Sequence, residues 1–229
     1  MKEPPGADKR KPYRSYYNWS LREPLARWLE QEGRTAAGLR VLDVGCGDKP
    51  YEPYFATARE YVGVDIDNPH ADVSAPAEEL PFEDASFDLV LCIQLLEHVD
   101  DPGRAVRELH RVAKPGGRVL AATHGSYVYH PGPADHWRWT HTGLRRLFEG
   151  AGDWRSVEVE PGAGTAAALG LLVALYVDQV AQRLHAVWAG RLVNYAINSL
   201  ASALERRAPS LREPIPGSLT TNFHIVALR

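Results

Sequence analysis

Residues 41–47 read V-L-D-V-G-C-G: a short apolar run with an aspartate inside it, ending in two glycines that flank a cysteine. Val41, Leu42 and Val44 form the kind of run that fills a fully buried strand, and the glycine pair closes it. A backbone bare of side chains directly after such a strand lets a ligand approach main-chain atoms. In an open parallel sheet, ligands sit at the carboxyl ends of strands where the strand order reverses. This one stretch predicts both the class of fold and the place of the site.

The alternation continues downstream. Residues 61–66 (Y-V-G-V-D-I), 87–93 (F-D-L-V-L-C-I), 118–123 and 156–160 predict further strands. Residues 102–113 place Ala105, Val106, Leu109 and Val112 at helical spacing until Pro115-Gly116-Gly117 breaks the pattern. Residues 142–152 predict a helix ending at glycine, and 20–33 a leading helix capped by Ser20. Strands alternating with helices predict an α/β domain on a mainly parallel sheet covered on both faces. The stretch 219–228 alternates like a late edge strand.

A single domain over 1–229 is expected, with a loose basic arm at 1–17. Residues 163–177 carry no charge for fifteen residues, fewer than the roughly eighteen that suggest a spanning helix. The segment 163–207 therefore predicts a buried or lid-like helical insertion before the last strand. Contact of 163–177 with a membrane surface is the less favoured alternative.

A formal charge of −3 gives no sequence-wide attraction to nucleic acid, so no nucleic-acid partner is expected. Lys2, Lys9, Arg10 and Lys11 make the N-terminus polar and unlike a secretory signal. The two cysteines, Cys46 and Cys92, lie in apolar strand-like segments without ligand spacing. A cytoplasmic protein is expected.

Two ligands suit a glycine loop after the first strand. A dinucleotide asks for G-x-G-x-x-G and an acid about twenty residues on for the ribose. Asp65 lies twenty residues after Gly45, but Asp48-Lys49-Pro50 follows Gly47 and the third glycine is missing. S-adenosylmethionine has a ribose but no pyrophosphate, and its ammonium group makes sense of Asp43 ahead of the glycines. The loop alone separates the two only in part.

V-L-D-V-G-C-G, Y-V-G-V-D-I and the run from A-E-E-L-P-F-E-D-A-S-F-D through L-L-E-H-V to K-P-G-G occur in order. Together they resemble the class I S-adenosylmethionine-dependent methyltransferases, in particular the small-molecule branch called type 11, over roughly 39–152. The resemblance implies a Rossmann-like seven-stranded sheet of order 3-2-1-4-5-7-6, its last strand antiparallel. It also implies that Asp43, Gly45 and Gly47 form the methionine-side loop, Asp65 holds the ribose and Ile66 packs on the adenine. Ala77 and Glu78 would meet the adenine edge mainly through backbone, and Ile93, Gln94 and His98 would border the methyl group. Ala75-Pro76 stands where the family often has Gly-Asp, leaving Asp72 as a possible substitute. Too few residues separate Asp65 from Phe87 for the usual crossover helix, so a short loop and a more open adenine pocket are expected.

Methyl transfer needs a positioned nucleophile and, for a hydroxyl, removal of its proton. His98 is the first candidate base, with a backbone-bonded structural histidine as the plainer reading. His130 and Asp135 follow in a dense loop, 123–144, that also holds His124, His136, Trp137, Arg138, Trp139 and His141. Asp135 and Arg138 could pair and brace that loop, while His136, Trp137, Arg138 and Trp139 are candidates for acceptor binding. No ligand pair at helical spacing stands out, so no metal is expected. The expected function is methyl transfer to a small molecule, at a hydroxyl oxygen of a glycosylated or secondary metabolite. A lipid-linked acceptor would account for the apolar 163–177. The alternative is a cofactor-binding scaffold without activity; a dehydrogenase is opposed by the missing third glycine.

Overall fold

The computed structural model describes residues 13–131 and 134–229. The sequence reads as a single domain; the described chain divides into two compact units, 29–160 with 222–229, and 13–28 with 161–221. The first holds a seven-stranded sheet: β1 (Arg40–Val44), β2 (Glu60–Asp65), β3 (Val73–Ser74), β4 (Phe87–Ile93), β5 (Ala113–His124), β6 (Ser156–Pro161) and β7 (Asn222–Leu228). Their order is β3-β2-β1-β4-β5-β7-β6, as expected. β1 pairs in parallel with β2 and β4, β4 pairs in parallel with β5, and β7 runs antiparallel to β5.

The helices are α1 (Trp19–Gly33), α2 (Pro102–Val112), α3 (His141–Glu149), α4 (Thr165–Arg183) and α5 (Val187–Arg207). Asp101 caps α2 by accepting the Arg104 N–H, and Pro102 fills a first-turn position where no N–H is needed. Thr140 caps α3 by accepting from Gly143 N–H. These two helices cover one face of the sheet. Ala105, Val106, Leu109, Leu144 and Phe148 are buried there with Leu42, Val44, Val90, Cys92 and Val119. The alternate positions Val41, Leu89, Leu91 and Leu120 are fully buried as well, so the central strands read as unbroken apolar runs. On this second face, Glu32 near the end of α1 receives Arg118 of β5 at 2.8 Å.

Three local expectations change and one, the short β2–β4 connection, holds. β5 begins at Ala113, and a register shift against β4 between Phe87 and Leu89 absorbs the Pro-Gly-Gly interruption. β7 is interior, between β5 and β6, because its alternate residues are buried on both sides. Between β2 and β4, residues 67–86 hold the two-residue β3 and no helix, in line with the short connection expected. The helix does not stop with the uncharged run but continues past Asp178 to Arg183 as the nineteen-residue α4, long and apolar enough to cross a membrane by length and composition.

In the second unit, α4 and α5 approach closely through small residues. A Cβ added at Gly190 would come 2.5 Å from that of Ala181. Residues 1–12 of the proposed arm lie outside the described residues. Residues 13–17 are held: Asn198 Nδ2 donates to the carbonyls of Arg14 and Tyr16 at 2.7 and 2.9 Å, and the Arg14 guanidinium lies 4.5 Å over the Trp19 ring.

Phe148 is fully buried between α3 and the sheet core. Phe148→Ala is expected to destabilise the protein by about 3–5 kcal/mol through lost burial and a residual cavity. A urea midpoint unchanged from wild type would contradict that packing.

Candidate functional site

β1 has β2 on one side and β4 on the other, so the strand order reverses at the carboxyl ends of β1 and β4. At that point Gly45 and Gly47 adopt φ of +74° and +50°, where side chains are strained. A Cβ on Gly45 would lie 2.8 Å from the Leu95 side chain, so the loop depends on its bareness. The next residue to turn left-handed is Lys49, at φ +52°, a conformation that favours glycine. Its Nζ bonds Asp72 Oδ2 at 2.6 Å, and the same oxygen accepts the Gly63 N–H at 2.7 Å. Asp72 therefore anchors the loop to β2 instead of standing free for a ligand.

Asp65 ties the loop from the other side. One of its oxygens accepts the Gly47 N–H at 2.9 Å and the other the Ile66 N–H at 2.8 Å. The carboxylate is thus fixed in orientation, with lone pairs to spare. Ile66 beside it is 55% exposed, unusual for so apolar a side chain at a strand end. Ala77 is buried, whereas Glu78 turns its Oε1 to the N–H groups of Asp100 and Asp101.

Asp43 is completely buried in β1. Its Oδ2 accepts from the Tyr61 hydroxyl at 2.6 Å, and its Oδ1 has no hydrogen-bond partner. Burial pushes its pKa up to about 7, the Tyr61 bond opposing and the Asp65 charge adding to the rise. Burial likewise pushes the Cys46 thiol up to about 12 and raises Cys92, so neither is a thiolate nucleophile.

At the end of β4, Ile93 is buried and Gln94 takes φ +57°. Gln94 donates its N–H to Ala122 at 2.7 Å and its side-chain amide to Asn222 of β7 at 2.8 Å. Such strain persists only where the surroundings over-determine it. Beyond lies a dense histidine cluster. His98 Nδ1 bonds the Ala134 carbonyl, as the plainer reading expected, leaving Nε2 as the ring's acceptor. The His98 and His130 rings lie 5.2 Å apart, and His130 lies 4.9 Å from His124. Burial depresses His124 to about 3 and lowers His130 as well. Glu97 is fully buried and its pKa is raised by burial; its Oε2 accepts from Thr123 at 2.8 Å.

Both carboxylate oxygens of Asp135 are taken by its own loop. Arg138 grips both its oxygens, at 2.5 and 2.7 Å, and the His130 N–H adds a third bond at 3.0 Å. The Arg138 bond holds its pKa well below the carboxylate range. Arg138 also donates to the carbonyls of Tyr127 and Val128. The pair braces the loop, so catalysis by Asp135 and acceptor binding by Arg138 give way to positioning roles. Trp137 and Trp139 stack on each other at 5.7 Å, and Trp137 Nε1 donates to Val99, leaving one indole face exposed. His136 is partly exposed, 3.5 Å from Asp100. Sequence reasoning missed Tyr61, Lys49 as a loop anchor, Asn222, and Glu97 with His124 as site members. Of these, only the last two had a signal, in L-L-E-H-V and in the histidine density.

The fold and the loop place a candidate ligand site at the switch point of a Rossmann-like sheet. Residues 42–121 match the family model described as a methyltransferase domain. The chain is 36% identical over 117 residues to the ubiquinone biosynthesis O-methyltransferase of Azotobacter vinelandii, covering 42% of this chain and 48% of that protein. To the protein of the same name from Pseudomonas aeruginosa (strain LESB58) it is 34% identical over 117 residues, with the same coverage. The chain thus spans about half the length of the curated relatives it matches. Among solved structures it is similar to the [4+2]-cyclase SpnF (TM-score 0.58, 18% identity, 91% of this chain and 80% of that one). It is also similar to Haemonchus contortus phosphoethanolamine N-methyltransferase 2 in complex with S-adenosyl-L-methionine (TM-score 0.57, 18% identity, 93% and 56%). A cyclase and a methyltransferase share this sheet, so the likeness speaks for the fold alone.

The residues present fit S-adenosylmethionine. The buried, unpartnered Asp43 Oδ1 offers an acceptor for an ammonium, and the glycine loop is a cradle that a Cβ would fill.

Asp43 gives a pH signature with a definite sign. Its raised pKa means the native chain binds a proton that the unfolded chain has released between about pH 4 and 7. Its stabilising contribution is full below that window and lost as pH rises through it. Asp43→Asn should remove that loss, so the wild-type advantage over the variant should fall by on the order of a few kcal/mol across the window. Urea titrations of ligand-free protein at several pH values would reveal it; a difference that is flat, or grows with pH, would show Asp43 is not held protonated.

Proposed function

We propose that this chain is a methyltransferase that uses S-adenosylmethionine to methylate a hydroxyl oxygen of a small molecule. The observation that carries the reading is the unpartnered, buried Asp43 oxygen beside the bare loop at the switch point of the sheet. Bound, S-adenosylmethionine supplies a methyl group on a positively charged sulfur, open to in-line attack. Asp43, Gly45 and Gly47 hold its methionine end, and Asp65, pre-oriented by two backbone N–H groups, accepts the ribose hydroxyls. Ile66 packs on the adenine, with Ala77 and Glu78 contributing main chain at its edge. Ile93 and Gln94 border the methyl group.

On the acceptor side, His98 takes the hydroxyl proton at Nε2 while the Ala134 carbonyl fixes its tautomer. His130 is the second candidate, and the exposed Trp137, with the half-buried Trp139 stacked on it and His136, contacts the acceptor. The O-methyltransferase name of the relatives supports oxygen as the acceptor atom. Exposed Leu169, Tyr176, Leu184, Trp188 and Leu192 on α4 and α5 support a lipid-linked acceptor, with 163–207 assigned to its handling. The same reading places the protein in the cytoplasm, where its two free, buried cysteines stay reduced.

Calorimetry should show binding of S-adenosylmethionine and S-adenosylhomocysteine and none of NAD. Asp65→Ala should abolish it, whereas His98→Ala should spare binding and lower turnover by about 10²–10⁴-fold. Loss of neither in the respective variant would remove those assignments; no binding of either sulfur ligand by wild type would favour the inactive scaffold. Flotation with liposomes tests the lipid-linked acceptor: co-flotation supports it, and a detergent-independent, liposome-free protein counts against it.

A further inference from the structure

We propose that Glu97, His124 and His130 form a binding site for one divalent transition-metal ion, of which Zn2+ is the best match. Each offers a ligand atom, and the three atoms lie within 4.8 Å of one another. They come from three places: the turn after β4, the last residue of β5 and the loop that follows it. The arrangement was not visible as a spacing pattern because no two of them share a helix.

Each group is held from behind in a way that leaves a coordinating atom free. Thr123 bonds Glu97 Oε2, while Oε1 of this fully buried residue has no hydrogen-bond partner and faces His124 Nε2 at 3.3 Å. The Asp135 carboxylate lies 3.4 Å from His130 Nδ1, and Arg138 clamps that carboxylate in turn. The His124 ring stacks on Tyr127 at 4.1 Å. Carboxylate–histidine pairs of this kind orient metal ligands. A buried carboxylate oxygen without a partner is costly, and a cation would satisfy it.

Two imidazoles and one carboxylate suit Zn2+ with an open fourth position, and not Mg2+ or Ca2+, which take oxygen ligands. A second grouping, His98 with His130 and Asp135, is less suitable. There Arg138 occupies both Asp135 oxygens, leaving the carboxylate no oxygen to spare for a cation. The Asp135 charge also offsets Arg138, which otherwise would oppose a cation. The assignment takes His130 out of proton transfer and leaves His98 as the base. On the methyl-transfer reading, the acceptor hydroxyl would complete the metal's shell; the metal site itself does not rest on that reading.

The test uses the full chain, stripped with a chelator and titrated with Co2+ and Zn2+ in the absence of cofactor and acceptor. One equivalent of Co2+ should bind with the intense absorption of a four-coordinate ion, and Zn2+ should displace it and raise the melting temperature. Asp135→Asn should weaken binding by about 10–100-fold, and His130→Ala by at least as much with loss of the four-coordinate spectrum. His130 lies in a loop and is 32% exposed, so its variant should fold, as circular dichroism would verify. No stoichiometric Co2+ binding, or a spectrum unchanged in folded His130→Ala, would overturn the proposal and leave Glu97 as a proton-sharing partner of His124. Metal binding without S-adenosylmethionine binding would sink the functional reading alone, and the reverse result would sink this one alone.

Discussion

The parallel pairing of β1 with a neighbour on either side is the constraint from which the rest follows. Once both edges of β1 are hydrogen-bonded, its carboxyl end opens into a crevice that no crossover can cover. The chain must leave that crevice without filling it, and Gly45 does so by having no side chain to meet Leu95. Asp65 and the Lys49–Asp72 pair then fasten the departing loop to β2. The ligand site is what remains when a buried strand ends between two others.

Much of this was legible because it is local. The apolar runs at 41–44 and 87–93 are buried on both faces, and caps such as Thr140 act within a few residues. The same holds for the loop acids Asp43 and Asp65, which lie on the strands that display them. What was not legible depends on contacts between distant segments. Asn222 meets Gln94 only because β7 lies beside β5. Tyr61 reads as an ordinary strand residue until the β1–β2 pairing sets its hydroxyl on Asp43. Lys49 could not be placed from pattern because a lysine at positive φ contradicts local preference. The Lys49–Asp72 ion pair, which shares its carboxylate with the Gly63 N–H, outweighs that preference. The alternation of 219–228 by itself reads as an edge strand, because it does not reveal which neighbours a strand will have; the strand order implied by the family resemblance had it inside.

The histidine loop shows the difference between residue type and residue role. Asp135, His98 and His130 are all groups that could take part in proton transfer, and Arg138 one that could bind an acceptor. The structure divides them: Arg138 and Asp135 spend their hydrogen bonds on each other and on the backbone, which stiffens the loop. His98 keeps one nitrogen free, while His124 and Glu97 sit buried behind it. Burial, rather than chemistry alone, decides which groups are supports.

The interior position of β7 bears on the order in which the molecule comes together. Gln94 and Asn222 are 128 residues apart, and β7 slots between β5 and β6 instead of joining at the rim. Contacts at such separation form late, because a long loop must close before they repay it. A nascent chain that has reached residue 221 can already possess the glycine loop, Asp43 and Asp65. It still lacks the partner that fixes Gln94 and the strand that lies against His124. The glycine-loop half of the candidate site can therefore exist before the histidine half, which waits for the final strand to thread into place.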